Sequence, residues 1–125
     1  MSFDWTNYLN LAQELTGAAT TLSNEEAKLR SAISRAYYAA FIQARNHLRD
    51  REQYLTPPGG NPHYDVPLQF QQSTDVRRRA IGVNLNRLRK HRNFADYADR
   101  FGGLPAATSL SIQRATQIIS TLSRL

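Results

Sequence analysis

Apolar residues recur at helical steps along most of this chain. Trp5, Tyr8, Leu9, Ala12 and Leu15 fall on one stripe of a first helix with Asp4 near its cap, and Gly17 ends the pattern. Ser23 and Glu26 have the form of a capping box, in which hydroxyl and carboxylate satisfy each other's orphan backbone N–H groups. A long helix is expected to begin there. No Gly or Pro interrupts it from Glu25 to about Arg51, and Leu29, Ile33, Ala36, Tyr37, Ala40, Phe41, Ala44 and Leu48 form its inward stripe. This is the central core helix. Its small residues Ala36, Ala39, Ala40 and Ala44 allow a neighbouring helix to approach closely, within the usual interaxial range of about 8 to 10 Å.

The stretch from Thr56 to His63 holds three prolines and two glycines and is expected to be a loop. Val66 to Phe70 follows as a short apolar piece, either a turn of helix or an extended clasp, whose large side chains require burial. Another helix should start at Thr74 or Asp75, either of which can cap it. It runs through Ile81, Leu85 and Leu88 to about Arg92, slightly weakened by Gly82 and with a basic opposite face. Phe101 to Pro105 is a break. A last helix is expected from about Ala106 to Ser123 with Ile112, Ala115, Ile119 and Leu122 inward. Alternating runs of the kind that make strands are lacking, as are repeats and low-complexity segments. The pattern predicts one all-α domain over residues 1–125, an up-and-down bundle of four to five helices.

Composition narrows the chemistry. Without cysteine there is no disulfide, no Cys-ligated metal and no thiol nucleophile. The N-terminus carries no basic-then-apolar leader, and no run of roughly 18 apolar residues occurs. A cytoplasmic location is expected, with no role in the membrane. The formal charge is +6, and its distribution says more than its size. Between Asp75 and Arg92 stand seven basic residues (Arg77, Arg78, Arg79, Arg87, Arg89, Lys90 and Arg92) against one acid, so this segment alone carries the whole excess.

Two stretches together resemble the signature regions of the HEPN family: Leu29 to Phe41, with its Ser-Arg-Ala-Tyr-Tyr core, and Leu88 to Tyr97, with Arg-Asn-Phe-Ala-Asp-Tyr. The resemblance extends from about Trp5 to the last helix. It implies a helical bundle that usually dimerises, often as the toxin of a toxin–antitoxin pair or as a component of antiviral defence, and commonly accompanied by a nucleotidyltransferase-type antitoxin. Active members resemble metal-independent ribonucleases in which an Arg and a His, with four to six residues between them, act from both subunits at the dimer cleft. His exchanges a proton near neutral pH and Arg stabilises charge on phosphate, so no metal is required. Here the sequence departs from the motif. None of His47, His63 and His91 has an Arg at the required spacing before it; only Arg92 carries over, and Tyr97 stands five positions after it, just beyond Asp96.

The candidate catalytic residues are therefore Arg92, holding phosphate, with Asp96, His91 or His63 handling the proton. The plainer alternative is an Arg92–Asp96 pair that only closes a helix end, and a carboxylate held by an arginine is a poor general acid. His63 either swings from its loop toward the cleft or is simply exposed to solvent. Arg77, Arg78, Arg79, Arg87, Arg89 and Lys90 are candidate RNA contacts, with Tyr97 or Phe94 available to stack on a base; otherwise they form a solvated face. Tyr97 is also a candidate for nucleotidyl transfer from an antitoxin. Arg35 is expected to pair with a carboxylate or to enter the cleft, and Tyr37 and Tyr38 to belong to the core. The histidines lack metal-ligand spacing and no phosphate-cradling Gly-rich loop follows a strand, so neither metal nor cofactor is expected.

Overall fold

The computed structural model describes residues 3–17 and 22–125, the backbone alone at 22–24. Among the described residues five helices run in up-and-down order: α1 (Thr6–Thr16), α2 (Leu22–Glu52), α3 (Pro62–Gln71), α4 (Val76–Tyr97) and α5 (Leu104–Leu122). No strand occurs among the described residues. The capping box at Ser23 rests on a side chain outside the described residues.

α2 is the axis of the bundle and touches all four other helices. Its inward face follows the sequence pattern: Ile33, Ala36, Tyr37, Ala40, Phe41, Ala44 and Leu48 are all buried. α1 lays Leu9 and Ala12 on it, with Asp4 Oδ1 accepting from the Thr6 N–H at 3.0 Å. α2 stops where Gln53 enters the left-handed region at φ 53° and the Tyr54 N–H returns to the Leu48 carbonyl at 2.9 Å.

The predicted loop ends earlier than the prolines suggest. Asn61 caps a helix whose first residue is Pro62, its side chain accepting from the His63 N–H at 3.0 Å, and Pro at this position loses no helical hydrogen bond. His63 is thus a helical residue rather than a loop residue. Of the two readings for Val66 to Phe70, the helix holds. Ten residues are too few for a helix to persist alone, but Val66 and Phe70 are buried, each side chain contributing about 1.5 to 3 kcal/mol.

Pro67 lies inside α3 and has no N–H to give the carbonyl of His63, four residues back. Arg89 of α4 supplies the missing donor, its Nη1 standing 3.2 Å from that oxygen. Gly82 of α4 explains itself at the same interface. A Cβ there would lie 2.5 Å from Gln71 Cγ, 2.6 Å from the Pro67 carbonyl oxygen and 2.9 Å from Gln71 N. The glycine permits the contact between α3 and α4 and is not merely a weak point in a helix.

α4 begins as predicted, with Asp75 Oδ1 accepting from the Arg77 N–H at 2.7 Å. It continues past Arg92 to Tyr97 because a remote side chain closes its end. Arg30 of α2 donates to the carbonyls of Ala95 at 3.0 Å and Ala98 at 2.6 Å, with longer contacts to Phe94 and Asp99. α5 starts at Leu104, two residues before the expected position, and buries Ile118 as well as Ala115 and Leu122, leaving Ile112 and Ile119 half-buried. Arg35 has no carboxylate partner among the described residues; it stands over the Tyr8 ring, 5.2 Å from the centroid.

Two stability predictions follow from the α3–α4 contact. Gly82→Ala gains helix propensity of about 1 kcal/mol but forces backbone apart, a typical loss of about 1 to 3 kcal/mol. A lower urea midpoint is expected. Arg89→Ala leaves a carbonyl unpaired and should cost about 1 to 3 kcal/mol. The loss should shrink in a Pro67→Ala background, where the restored N–H can serve His63, and a double-mutant cycle by urea unfolding checks this.

Candidate functional site

Three helices bring polar chemistry to one place. α2 presents Tyr37, Tyr38 and Phe41, α3 presents His63, and α4 presents Arg89, Arg92 and Asp96. The His63 ring stacks on Phe41, centroids 4.4 Å apart and planes within 15°. Its Nδ1 lies 2.6 Å from the Tyr37 hydroxyl, whose ring has no accessible surface. The Arg92 guanidinium carbon sits 5.1 Å and 5.4 Å from the centroids of Tyr37 and Tyr38. Such placement over the ring faces is favourable for a cation, more so when desolvated. Asp96, one turn on, stands 3.6 Å from Arg92 Nη1, and Arg92 Nε is buried without a hydrogen-bond partner among the described residues.

These neighbours set the protonation states. Burial pushes the Tyr37 phenol up to about 12, with Arg92 and Arg89 opposing, so it stays protonated at neutral pH. Burial holds His63 below the usual histidine value, reinforced by the positive charges of Arg92 and then Arg89. With Tyr37 donating to Nδ1, the proton of neutral His63 sits on Nε2; in the other tautomer Nε2 is free to accept. The arrangement couples a proton-exchanging ring to two guanidinium groups.

The structure thus joins His63, Arg92 and Asp96, and adds Arg89 to them. His91 is not with them. Its Nδ1 faces Ser111 Oγ of α5 at 3.3 Å, and burial followed by the charge of Arg114 lowers its pKa. The basic residues of α4 do not share one face, because their steps distribute them around the whole helix. Arg77 pairs with Asp75 at 3.1 Å and reaches the Arg124 carbonyl. Arg78 makes a two-pronged pair with Glu52 and covers the Phe70 ring, while Arg79 donates to the carbonyls of Ser73 and Thr74. Those three close the end of the bundle. Arg87, Lys90 and Tyr97 are exposed, and their helical spacing sets them on a different face of α4 from Arg92.

Tyr37 is core by burial, as its sequence position predicts, but its hydroxyl belongs to the site. That role had no sequence signal, since His63 is distant along the chain and reaches it only because α3 is a helix. A separate depression of about 570 Å³, lined by Trp5, Gln43, His47 and Asp50 among others, contains none of the cluster. Among the described residues no group of three or more His, Asp or Glu is placed to hold a metal ion, and no helix is long and apolar enough to cross a membrane. No family model matches the chain, and comparisons with curated proteins and with solved structures give no match.

His47 resembles His63 in one respect: burial lowers its pKa against the opposing pull of Glu52, 3.3 Å away. All three histidines therefore have folded pKa values below their unfolded value of about 6.5. Their neutral forms favour the fold at higher pH, and the unfolded chain binds more protons as pH falls. Stability should be fully present above about 6.5 and decline as pH drops through that value and toward the folded pKa values. Melting temperatures between pH 7.5 and 5 check the sign, and NMR titration should find His63 below 6.5 and moved upward by Arg92→Gln.

Proposed function

We propose that this chain is an RNA-directed, HEPN-type protein that cleaves RNA without a metal ion, using Arg92 and His63 as an arginine–histidine pair rebuilt across two helices. The supporting observation is the convergence of His63, Arg89 and Arg92 on Tyr37, with His63 Nδ1 held at 2.6 Å. In this reading the guanidinium groups attract phosphate and stabilise its developing charge. His63 accepts the ribose 2′-hydroxyl proton at Nε2 as that oxygen attacks phosphorus. It then returns the proton to the departing 5′ oxygen, leaving a cyclic phosphate and a free hydroxyl. Asp96 orients Arg92. The reading includes a homodimer whose second copy completes the cleft, and restraint by a nucleotidyltransferase-type antitoxin in a toxin–antitoxin or defence setting. Tyr97, 77% exposed, is open to such an enzyme.

One observation favours a second reading, a non-catalytic HEPN module that binds nucleotide, nucleic acid or a protein partner. The Arg92 side chain is only 12% exposed between two tyrosine rings, which limits its direct reach to a phosphate. Incubation of the purified protein with total RNA and transfer RNA, with and without chelator, separates the two. Chelator-resistant cleavage is expected, reduced about 100-fold or more by His63→Ala and by Arg92→Ala, in keeping with loss of acid–base and charge-stabilising groups. Intact RNA at high protein excess, with salt-sensitive binding, would establish the binding module instead.

A further inference from the structure

The outer face of α4 carries a second pattern, independent of the Arg92 cluster. Val76, Ala80, Val83, Arg87, Lys90, Phe94 and Tyr97 recur at alternating steps of three and four residues, the spacing of a helix seam. The inner face of the same helix is already occupied: Ile81, Leu85, Leu88 and Ala95 are buried in the bundle. On the outer stripe Val76 is 70% exposed, Val83 39%, Phe94 58% and Tyr97 77%. Scattered exposed apolar residues are ordinary, but these four fall in one helical register, at the two ends of a single track.

The middle of the track is cationic. Arg87 and Lys90 are exposed, and neither has a hydrogen bond or carboxylate partner among the described residues. Arg114 of α5 stands near Arg87, likewise without a carboxylate, and its guanidinium pKa is lowered by burial and then by the charge of Arg87. Three cations thus share one unneutralised region between two apolar ends. A second copy of this chain is a poor occupant. The midpoint between Val76 and Tyr97 falls beside Arg87, so two-fold pairing of α4 with itself sets Arg87 against its own counterpart in either direction, and Lys90 as well when the helices are parallel.

We propose that the outer face of α4 docks an amphipathic helix from another protein, apolar at both ends and acidic at its centre. α4 has 22 residues and is about 33 Å long, so one partner helix of about 20 residues covers the track. The seam spacing is what favours a helix over a nucleic-acid strand: a partner helix meets α4 at these steps along its whole length, whereas stacking bases need aromatic rings, and here both lie at one end.

The test uses a synthetic helical peptide of 21 residues, with Leu at both ends of its seam and Glu at its centre, a pattern that fits α4 in either direction. Titration followed by NMR should shift resonances from Val76, Val83, Arg87, Lys90, Phe94 and Tyr97. Affinity should fall about tenfold or more with Arg87→Glu plus Lys90→Glu, and those variants should instead bind a peptide with Lys at its centre. The substituted side chains are exposed, and an unchanged melting temperature verifies the fold. No binding, equal binding of both peptides, or shifts on another face would overturn the proposal. So would tighter binding of a uridine decanucleotide to the same residues, or self-association of the chain abolished by Val83→Lys.

Discussion

Five alanines of α2, Ala32, Ala36, Ala39, Ala40 and Ala44, have no accessible surface, and the packing of the other helices depends on them. A side chain of one carbon lets a second backbone approach until its own larger residues fill the space between the two axes. Around α2 those larger residues come from its neighbours: Leu9 from α1, Leu85 and Leu88 from α4, and Ile118 from α5. The density of an interior built this way leaves little room for added carbon atoms on α2. Its two buried aromatic residues, Tyr37 and Phe41, sit where α3 crosses, and their rings stack 5.6 Å apart. The place at which the alanine face gives way to aromatic rings is also the place at which His63 is held.

The position of His63 depends on a chain of small necessities rather than on one strong contact. Asn61 and Pro62 start the helix that carries it. Pro67 deprives its carbonyl of a helical partner, Arg89 replaces that partner, and Gly82 lets α3 come near enough for the replacement to reach. The same guanidinium that completes the backbone of α3 also contributes positive potential at the His63 ring. Structure and electrostatics thus meet in Arg89, and a change there acts on both.

The helices were legible in the sequence wherever apolar residues recur at helical steps, because that periodicity reports directly which face is buried. α1, the middle of α2 and the capped start of α4 follow from it. The ends of elements were less legible where their causes lie far off in the chain. Thr56 to His63 has the composition of a loop throughout, yet Pro62 sits at the one helical position where it costs nothing. Arg92 looked like a helix terminus because the cation that closes α4, Arg30, is more than sixty residues away. Of the site, Arg92 and Asp96 could be read from one helix by their i, i+4 spacing. His63 could be named as a candidate but not placed, and the part of the Tyr37 hydroxyl could not be read, since both depend on the crossing of α3 over α2. Charge density misled in the opposite way: seven cations in one segment suggested a face, whereas three of them close the bundle end and two turn to the His63 side.

Arg30 gives α4 an ending that belongs to another helix. Four carbonyls at the close of α4 look to a guanidinium rooted in α2, and a helix end without partners for its last carbonyls frays. The final turn of α4, with Asp96 and Tyr97, is therefore stabilised by the docking of α2 against α4 and not by α4 alone. By the same logic, when the two helices part, that turn is among the earliest pieces of local order to be lost, however well the middle of α4 survives.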